Sequence, residues 1–532
     1  MSLPDRNNPY SFEDYLSWRT SLDYYQDDSF VQQSLKTFAG PQWDKVDAVA
    51  REVSKMASYR WRDLADEAAR PENKPYLIHY NAHNQRIDRV VRSRATELME
   101  QEVFAQAIFS DTTSSWEKFI NMFLIYQNGE ACISCPMTCT DGMVALLDQY
   151  ADDPELERVR MEIKQGVEGR YAIGAQYISE IQGGSDIPAN LLEAIEQDGG
   201  WRLYGKKFFC SATHADYSVV TAKPAGSDKL AAFIVPSWLP GDKNREQRNG
   251  YTIDRMKWKM GTSELPTCEI NFQGALAYPI GALDQGLSIV VGIVLAYSRL
   301  TIGIFSAAVM TRAVREAKKY AEFRTAFGQS IGQFPMLAGQ LDDMQKVAQR
   351  TTAGVFKYYQ QVLTLDGGLA GVIMAVDSIA ARRQQFEIRE LTMLQKIFAS
   401  RDSVNITQNA ISVFGGHGVI EDFSSLPRLF RDAMVNELWE GPKNVLLAQI
   451  HRDFQSAGDW YPATEFVASL LAGADAAIIN PLQQEIKELV ACPSLNKMDA
   501  ETIELCRRWD LCCERLFHAY QDLALIQVEK SA

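Results

Sequence analysis

A few short stretches of this chain carry residue types at spacings that could do chemistry. In Leu438-Trp-Glu-Gly-Pro-Lys-Asn444 a single carboxylate, Glu440, stands between a tryptophan and a glycine. Burial in such an apolar, tightly turning setting disfavours the charged form and raises the pKa toward neutrality. A base of that kind suits removal of a proton from carbon. Taken alone, the same stretch is equally an acid ahead of a helix that starts near Asn444. Ser179-Glu-Ile-Gln-Gly-Gly-Ser-Asp186 sets two adjacent glycines among hydroxyls and a carboxylate. Glycines let backbone amides approach a ligand, and the Ser179 and Ser185 hydroxyls can bond a ring carbonyl or a phosphate. The pair also fits a Gly-Gly turn capped by Ser185 and Asp186.

In Lys207-Phe-Phe-Cys-Ser-Ala-Thr213, Phe209 could lie against a flat cofactor with the Ser211 hydroxyl beside it. A sheet strand with its core aromatics reads the same way. Arg324-Thr-Ala-Phe-Gly-Gln329 offers a guanidinium that could grip phosphate with two hydrogen bonds, or simply an arginine favoured at a helix end by the dipole. Gly415-Gly-His-Gly418 is a glycine-rich loop, and His417 is given no role in it.

The elements that must position these residues fall into zones. Helical periodicity runs from about residue 10 to 168, as in Ala95–Phe104, where apolar residues recur at spacings of three and four. From about 170 to 283 the runs are short and β-branched or aromatic, with Gly, Asn, Asp and Pro between them. Gly200–Phe209 reads as a hairpin turning near Tyr204-Gly205. From 284 to 455 helices return, with Val314, Ala317 and Ala321 on one face. A helical extension opened by Pro462 closes the chain.

Composition narrows the function class. Hydrophobic content of 46% and charged content of 23% over 532 residues are those of a globular protein with a large core. Fifty-four basic against 68 acidic residues give a net charge of −14, which disfavours a protein whose main task is gripping nucleic acid. Nine cysteines in so long a chain point to reduced thiols and a cytoplasmic setting. The stretch from Met1 to Tyr15 lacks the apolar core of a secretory signal. The longest apolar run, Gly286–Tyr297, is closed by Arg299 and is too short to cross a bilayer, so it reads as a buried core helix. Cys132, Cys135 and Cys139 fit one helix face better than a metal cluster, and Cys512-Cys513 fits packing; no metal site is expected.

In their order, these stretches resemble the acyl-CoA dehydrogenase superfamily, most closely its longer, AidB-like branch. The matching text is "YISEIQGGSD", "GKKFFCSATHAD", "FRTAFGQSIGQFP", "VFGGHGVIED" and "RDAMVNELWEGPKNV", with "CPMTCTDGMVALL" ahead of them. The resemblance spans roughly residues 90 to 455. It implies a mainly α fold with a central β domain: an N-terminal helical domain over 1–169, a β-barrel over 170–283 and a four-helix bundle over 284–455. A helical C-terminal extension over 456–532 completes it.

The resemblance also implies FAD between barrel and bundle, and FAD-dependent α,β-dehydrogenation of an acyl-CoA thioester to a 2,3-enoyl-CoA. Glu440 would be the α-proton base. Ser179, Gly184, Ser185, Phe209, Ser211 and Asn444 would contact FAD, with Ser185 and Arg299 near the substrate. Arg324, Phe327, Gly415 and Gly416 would reach the FAD of a neighbouring subunit in a homodimer or homotetramer. Electrons would pass to an electron-transfer flavoprotein. Two alternatives stay open: an AidB-like flavoprotein with a protective or binding role, and an acyl-CoA oxidase that uses oxygen. Ser412, Ala326 and Pro442 depart from the residues the family usually carries there. Ser298 leaves no second carboxylate to compete with Glu440, and Ala296 replaces an acid found in some CoA enzymes. Residues 456–532 hold six basic residues against twelve acidic ones, which disfavours the DNA-binding tail associated with the branch and favours packing on the core or on another subunit.

Overall fold

The computed structural model describes residues 11–531. The first ten residues, part of the stretch considered for a secretory signal, lie outside the described residues. The N-terminal region is built mainly of helices whose starts are chemically marked. Ser114 and Glu117 form a reciprocal cap on the Ser115–Tyr126 helix, each accepting a hydrogen bond from the other's backbone amide. The next helix, Ser134–Tyr150, is buried along almost its whole length.

The N-terminal region also holds two strands that the helical reading passed over. Tyr76–Tyr80 and Arg86–Val91 pair antiparallel. The hairpin is locked to the β domain: Asp88 Oδ2 accepts from the Ile253 amide at 2.8 Å, and Arg86 donates to the Ile253 carbonyl at 3.0 Å. Its short alternating strands read as helix text only because helices flank them.

The central β structure runs from Gly174 to Pro279. Tyr217–Pro224, Glu193–Gln197, Gly200–Ser211, Thr267–Pro279 and Ala231–Pro236 pair in that order, and the last pairs back to the first. The sheet closes into a barrel and leaves few free edges. Gly174–Tyr177 adds beside Tyr217–Pro224 in parallel. The hairpin is not where Tyr204-Gly205 suggested. Gly200–Ser211 is one continuous strand with a register shift after Leu203. The turn lies just before it, at Asp198 (φ 53°) and Gly199 (φ 74°). Two central residues with positive φ match the right-handed twist of the flanking strands, and Asp-Gly is a favoured pair for that turn.

Three long helices, Leu295–Phe323, Pro335–Val362 and Ile379–Phe414, pack with Leu426–Leu438 as a four-helix bundle. Pro335 opens one at its first position, and the Ser378 hydroxyl caps another by accepting from the Ala381 amide. Val314, Ala317 and Ala321 are all buried, as their spacing predicts. The apolar run does not end at Arg299. It continues through a π-helical turn, Val290–Val294, to Phe323. By length and mean hydropathy (1.9) this 38-residue helix could span a bilayer, yet 67% of its most apolar window is buried inside the protein. Arg299 is tolerated mid-helix because its charge is met internally.

The C-terminal extension forms helices Ala463–Leu470, Ala476–Val490 and Ala500–Ser531, packed on the bundle. Trp509 is 1% exposed and donates its indole N–H to the Leu447 carbonyl at 2.9 Å. Losing a buried indole of this kind costs about 3–5 kcal/mol. Arg507, Arg508 and Arg515 pair with Glu504, Glu488 and Glu485, so acids of the same surface offset them.

Candidate active site

Glu440 sits in the turn between Leu426–Leu438 and Lys443–Ala457. Its backbone is left-handed, with φ 59°, and Gly441 follows at φ 103°. A non-glycine residue held there costs about 1–3 kcal/mol and persists only when its surroundings over-determine it. Two cations on other helices do so. Arg299 Nε donates to the Glu440 carbonyl at 3.1 Å. Lys396 Nζ donates to the carbonyls of Gly441 at 2.6 Å and Glu437 at 2.7 Å. The Glu440 side chain is fixed by a third group from the barrel: Gln176 Nε2 donates to Oε1 at 2.9 Å and also lies 3.2 Å from Ser298 Oγ.

Burial pushes the Glu440 carboxyl up to about 7, although Arg299, Lys396 and the Gln176 hydrogen bond pull the other way. Burial likewise pulls the Lys396 ammonium down to about 7 against the attraction of Glu440. A carboxylate and an ammonium that both titrate near neutrality, one lining a cavity and one behind it, mark a functional site.

That cavity, of about 640 Å³, opens between barrel and bundle. Ser179, Gly184, Ser185, Phe209 and Ser211 line it from the barrel, and Arg299 and Glu440 from the helical side. Seven of the residues singled out in the sequence thus share one space. A Cβ built on Gly183 would meet Asn190 Oδ1 at 2.6 Å, whereas one on Gly184 would meet only Ser179 Oγ at 4.0 Å. The first glycine serves the turn; the second leaves the cavity wall open. Phe209 remains 50% exposed, with the Lys257 ammonium 4.6 Å from its ring centroid. A half-exposed aromatic ring, serine hydroxyls on the same cavity wall and a backbone free of side chain at Gly184 suit a flat ring system with polar edges, so these residues fit FAD.

The remaining predicted residues lie elsewhere. Asn444 is exposed in the first turn of Lys443–Ala457 and does not line the cavity. Arg324 follows the last residue of the Leu295–Phe323 helix, and Phe327 projects from the small hairpin after it, 98% exposed. Gly415 and Gly416 end the Ile379–Phe414 helix, with nothing within 4 Å of a Cβ at either. A hydrogen bond of 2.8 Å between Tyr320 and His417 joins the Arg324 helix to that glycine loop.

The motifs did not single out Gln176, Lys396, Lys259 or Glu130. Lys396 had a signal, a lone charge in the apolar run Leu391–Ala399. Lys259 donates to Thr267 Oγ1 at 2.8 Å, and Thr267 Oγ1 lies 3.0 Å from Ser211 Oγ. Behind it Glu130, Glu264 and Asp432 are buried together, and burial raises all three carboxyls. Cys135 and Cys139 share a helix face on the cavity wall with their sulfurs 3.9 Å apart. Cys132 does not share it; it precedes the helix in a left-handed conformation.

The acyl-CoA dehydrogenase C-terminal domain matches residues 284–454, the middle domain of the same family matches 175–275, and the N-terminal domain of adaptive response protein AidB matches 18–163. The putative acyl-CoA dehydrogenase AidB of Escherichia coli is 26% identical over 486 residues, covering 87% of this chain and 84% of that one. Among solved structures, Bd2924 in its apo form aligns with a TM-score of 0.82 at 23% identity, covering 96% of this chain and 98% of its own. Caenorhabditis elegans ACDH-11 in complex with C11-CoA aligns at 0.78 and 22%, covering 96% and 90%. Successive family domains across the chain, on a shared fold, lead to one conclusion: the chain belongs to the acyl-CoA dehydrogenase superfamily, in its AidB-like branch, and its cofactor is FAD.

Proposed function

We propose that this protein dehydrogenates an acyl-CoA thioester between Cα and Cβ, with Glu440 as the base. The observation that carries the reading is the Glu440 carboxyl on the cavity wall, brought near neutrality by burial and held by Gln176 at 2.9 Å. A thioester makes its α-proton more acidic than an ester would, so a base poised near 7 matches the task. Glu440 takes the α-proton, the β-carbon loses a hydride, and a 2,3-double bond forms between them. When bound, FAD supplies the hydride acceptor. Arg299 and Lys396 hold the turn that aims the carboxylate, and their charges limit how far burial raises it.

Support for a thioester substrate comes from the C11-CoA bound by ACDH-11. Phe327, Gly415 and Gly416 are exposed, and none of them nor Arg324 lines the Glu440 cavity, which suits contact with the FAD of a second subunit. Electron-transfer flavoprotein is the acceptor this reading assigns, in a cytoplasmic homodimer or homotetramer.

Anaerobic titration of the FAD-loaded protein with acyl-CoAs of graded chain length tests the proposal. One chain-length class should bleach the visible flavin band, and the bleaching rate should rise with pH through about 7 as Glu440 ionises. A flavin that no acyl-CoA bleaches would overturn the dehydrogenase reading and favour a protective or binding role.

A further inference from the structure

We propose that Gln176 is a positioning residue for Glu440, a barrel side chain that holds the carboxylate of the base across the boundary with the bundle. The inference rests on the reading of Glu440 as the base. Gln176 lies on the Gly174–Tyr177 strand, beside Tyr217–Pro224, while Glu440 lies 264 residues further along the chain, in a turn between helices. Its Nε2 is 2.9 Å from Glu440 Oε1. The amide is itself steadied by Ser298, whose hydroxyl lies 3.2 Å away and bonds the Val294 carbonyl at 3.1 Å. Val294 closes the π-helical turn, so the irregular part of the helix faces the same polar cluster.

The division of labour is legible in the atoms each group touches. Arg299 and Lys396 bond backbone carbonyls of the Glu437–Gly441 segment. Gln176 bonds the carboxylate itself. It is a neutral donor, so it orients the oxygen without adding a charge that would hold the proton off altogether. The charged groups facing Glu440 are Arg299 from the cavity helix and Lys396 from Ile379–Phe414; the barrel contributes the uncharged Gln176. A hydrogen bond to the ionised form favours that form, so Gln176 also lowers the pH at which the base becomes available.

The test compares wild type with Q176M, Q176N and Q176E, each loaded with FAD, alongside E440Q. Q176M keeps the length and removes the donor; Q176N withdraws the donor by one methylene and guards against a variant that fails to fold. The readouts are the acid limb of substrate-driven flavin reduction and the titration of the Glu440 carboxyl by 13C NMR in the apoprotein, assigned with E440Q. Q176M and Q176N should move both upward by about one pH unit. They should lower the limiting rate more than they raise the half-saturating substrate concentration. Q176E places a second carboxylate against the first and should shift the limb further. An unmoved limb and carboxyl titration in Q176M and Q176N, with E440Q inactive, would overturn the role of Gln176 and leave the base in place. An E440Q protein that still reduces its flavin would remove the base, and the positioning role with it.

Discussion

The two ends of the Leu295–Phe323 helix make an instructive pair. Arg299 near its start and Arg324 just beyond its end are separated by about 37 Å of helix rise. Both are arginines beside family motifs, in one bundle. At the first end Arg299 is largely buried, its charge is pulled down by burial, and it braces the turn of a carboxylate brought near neutrality. At the second, Phe327 stands almost fully in solvent, and a Cβ on Gly415 or Gly416 would meet nothing within 4 Å. One end is a polar cluster within a single chain, in which Arg299 and Lys396 bond backbone carbonyls. The other presents Phe327, Gly415 and Gly416 outward. The difference teaches that a shared motif list can hold two kinds of function: chemistry, which needs desolvation, and contact, which needs exposure.

The comparison can be broken first at the enclosed end. E440Q keeps the shape and the hydrogen bond from Gln176 but removes the carboxylate we propose as base. Substrate-driven flavin reduction should fall by about 10²- to 10⁴-fold, read by anaerobic stopped flow, with flavin binding unchanged. Full retention of rate would show that the enclosed end is not the chemical one.

Lys396 offers a sharper cut. K396M leaves the carbonyls of Glu437 and Gly441 without their donor in a buried setting. A loss of about 2–4 kcal/mol of stability follows, measured by denaturant unfolding. The sign with pH is distinctive. Lys396 has a folded pKa lowered to about 7, so the unfolded chain binds more protons between about 7 and 10.5, and wild-type stability rises with pH there. K396M should lack that rise. Glu440 works in the opposite direction at lower pH. Its folded pKa is raised from 4.5 to about 7, so stability falls as pH climbs through that window.

The smallest effect is expected at the exposed end. R324A should weaken FAD retention about tenfold on repeated ultrafiltration. Unchanged retention would mean that the outward motif serves no cofactor.

Much of the architecture was legible because it depends on local rules. The switch from helical to strand punctuation near residue 170 marked the barrel, and its return near 284 marked the bundle. The hairpin turn was placed at Tyr204-Gly205, and only the pairing of Gly200–Ser211 along its whole length moved it to Asp198-Gly199. The Tyr76–Val91 hairpin was obscured by helical neighbours and is secured by contacts to Ile253, far along the chain. The helix containing Arg299 was read too short because a charge in an apolar run looks like an end until its acceptor is seen.

The site divides in the same way. Glu440, the serines, Gly184 and Phe209 could be found from residue type and order, since each motif brings its own local geometry. Gln176 and Lys396 could not be assigned, because their meaning lies in atoms contributed by other segments. Residue types and their spacing determined the order of helical and strand zones and picked out a carboxylate in an apolar turn, and the resemblance of the motifs pointed to the family and its cofactor. The tertiary structure alone decided how that carboxylate is held and how strongly burial lifts it. Desolvation and cross-domain hydrogen bonds depend on distance in space, which spacing along the chain does not encode.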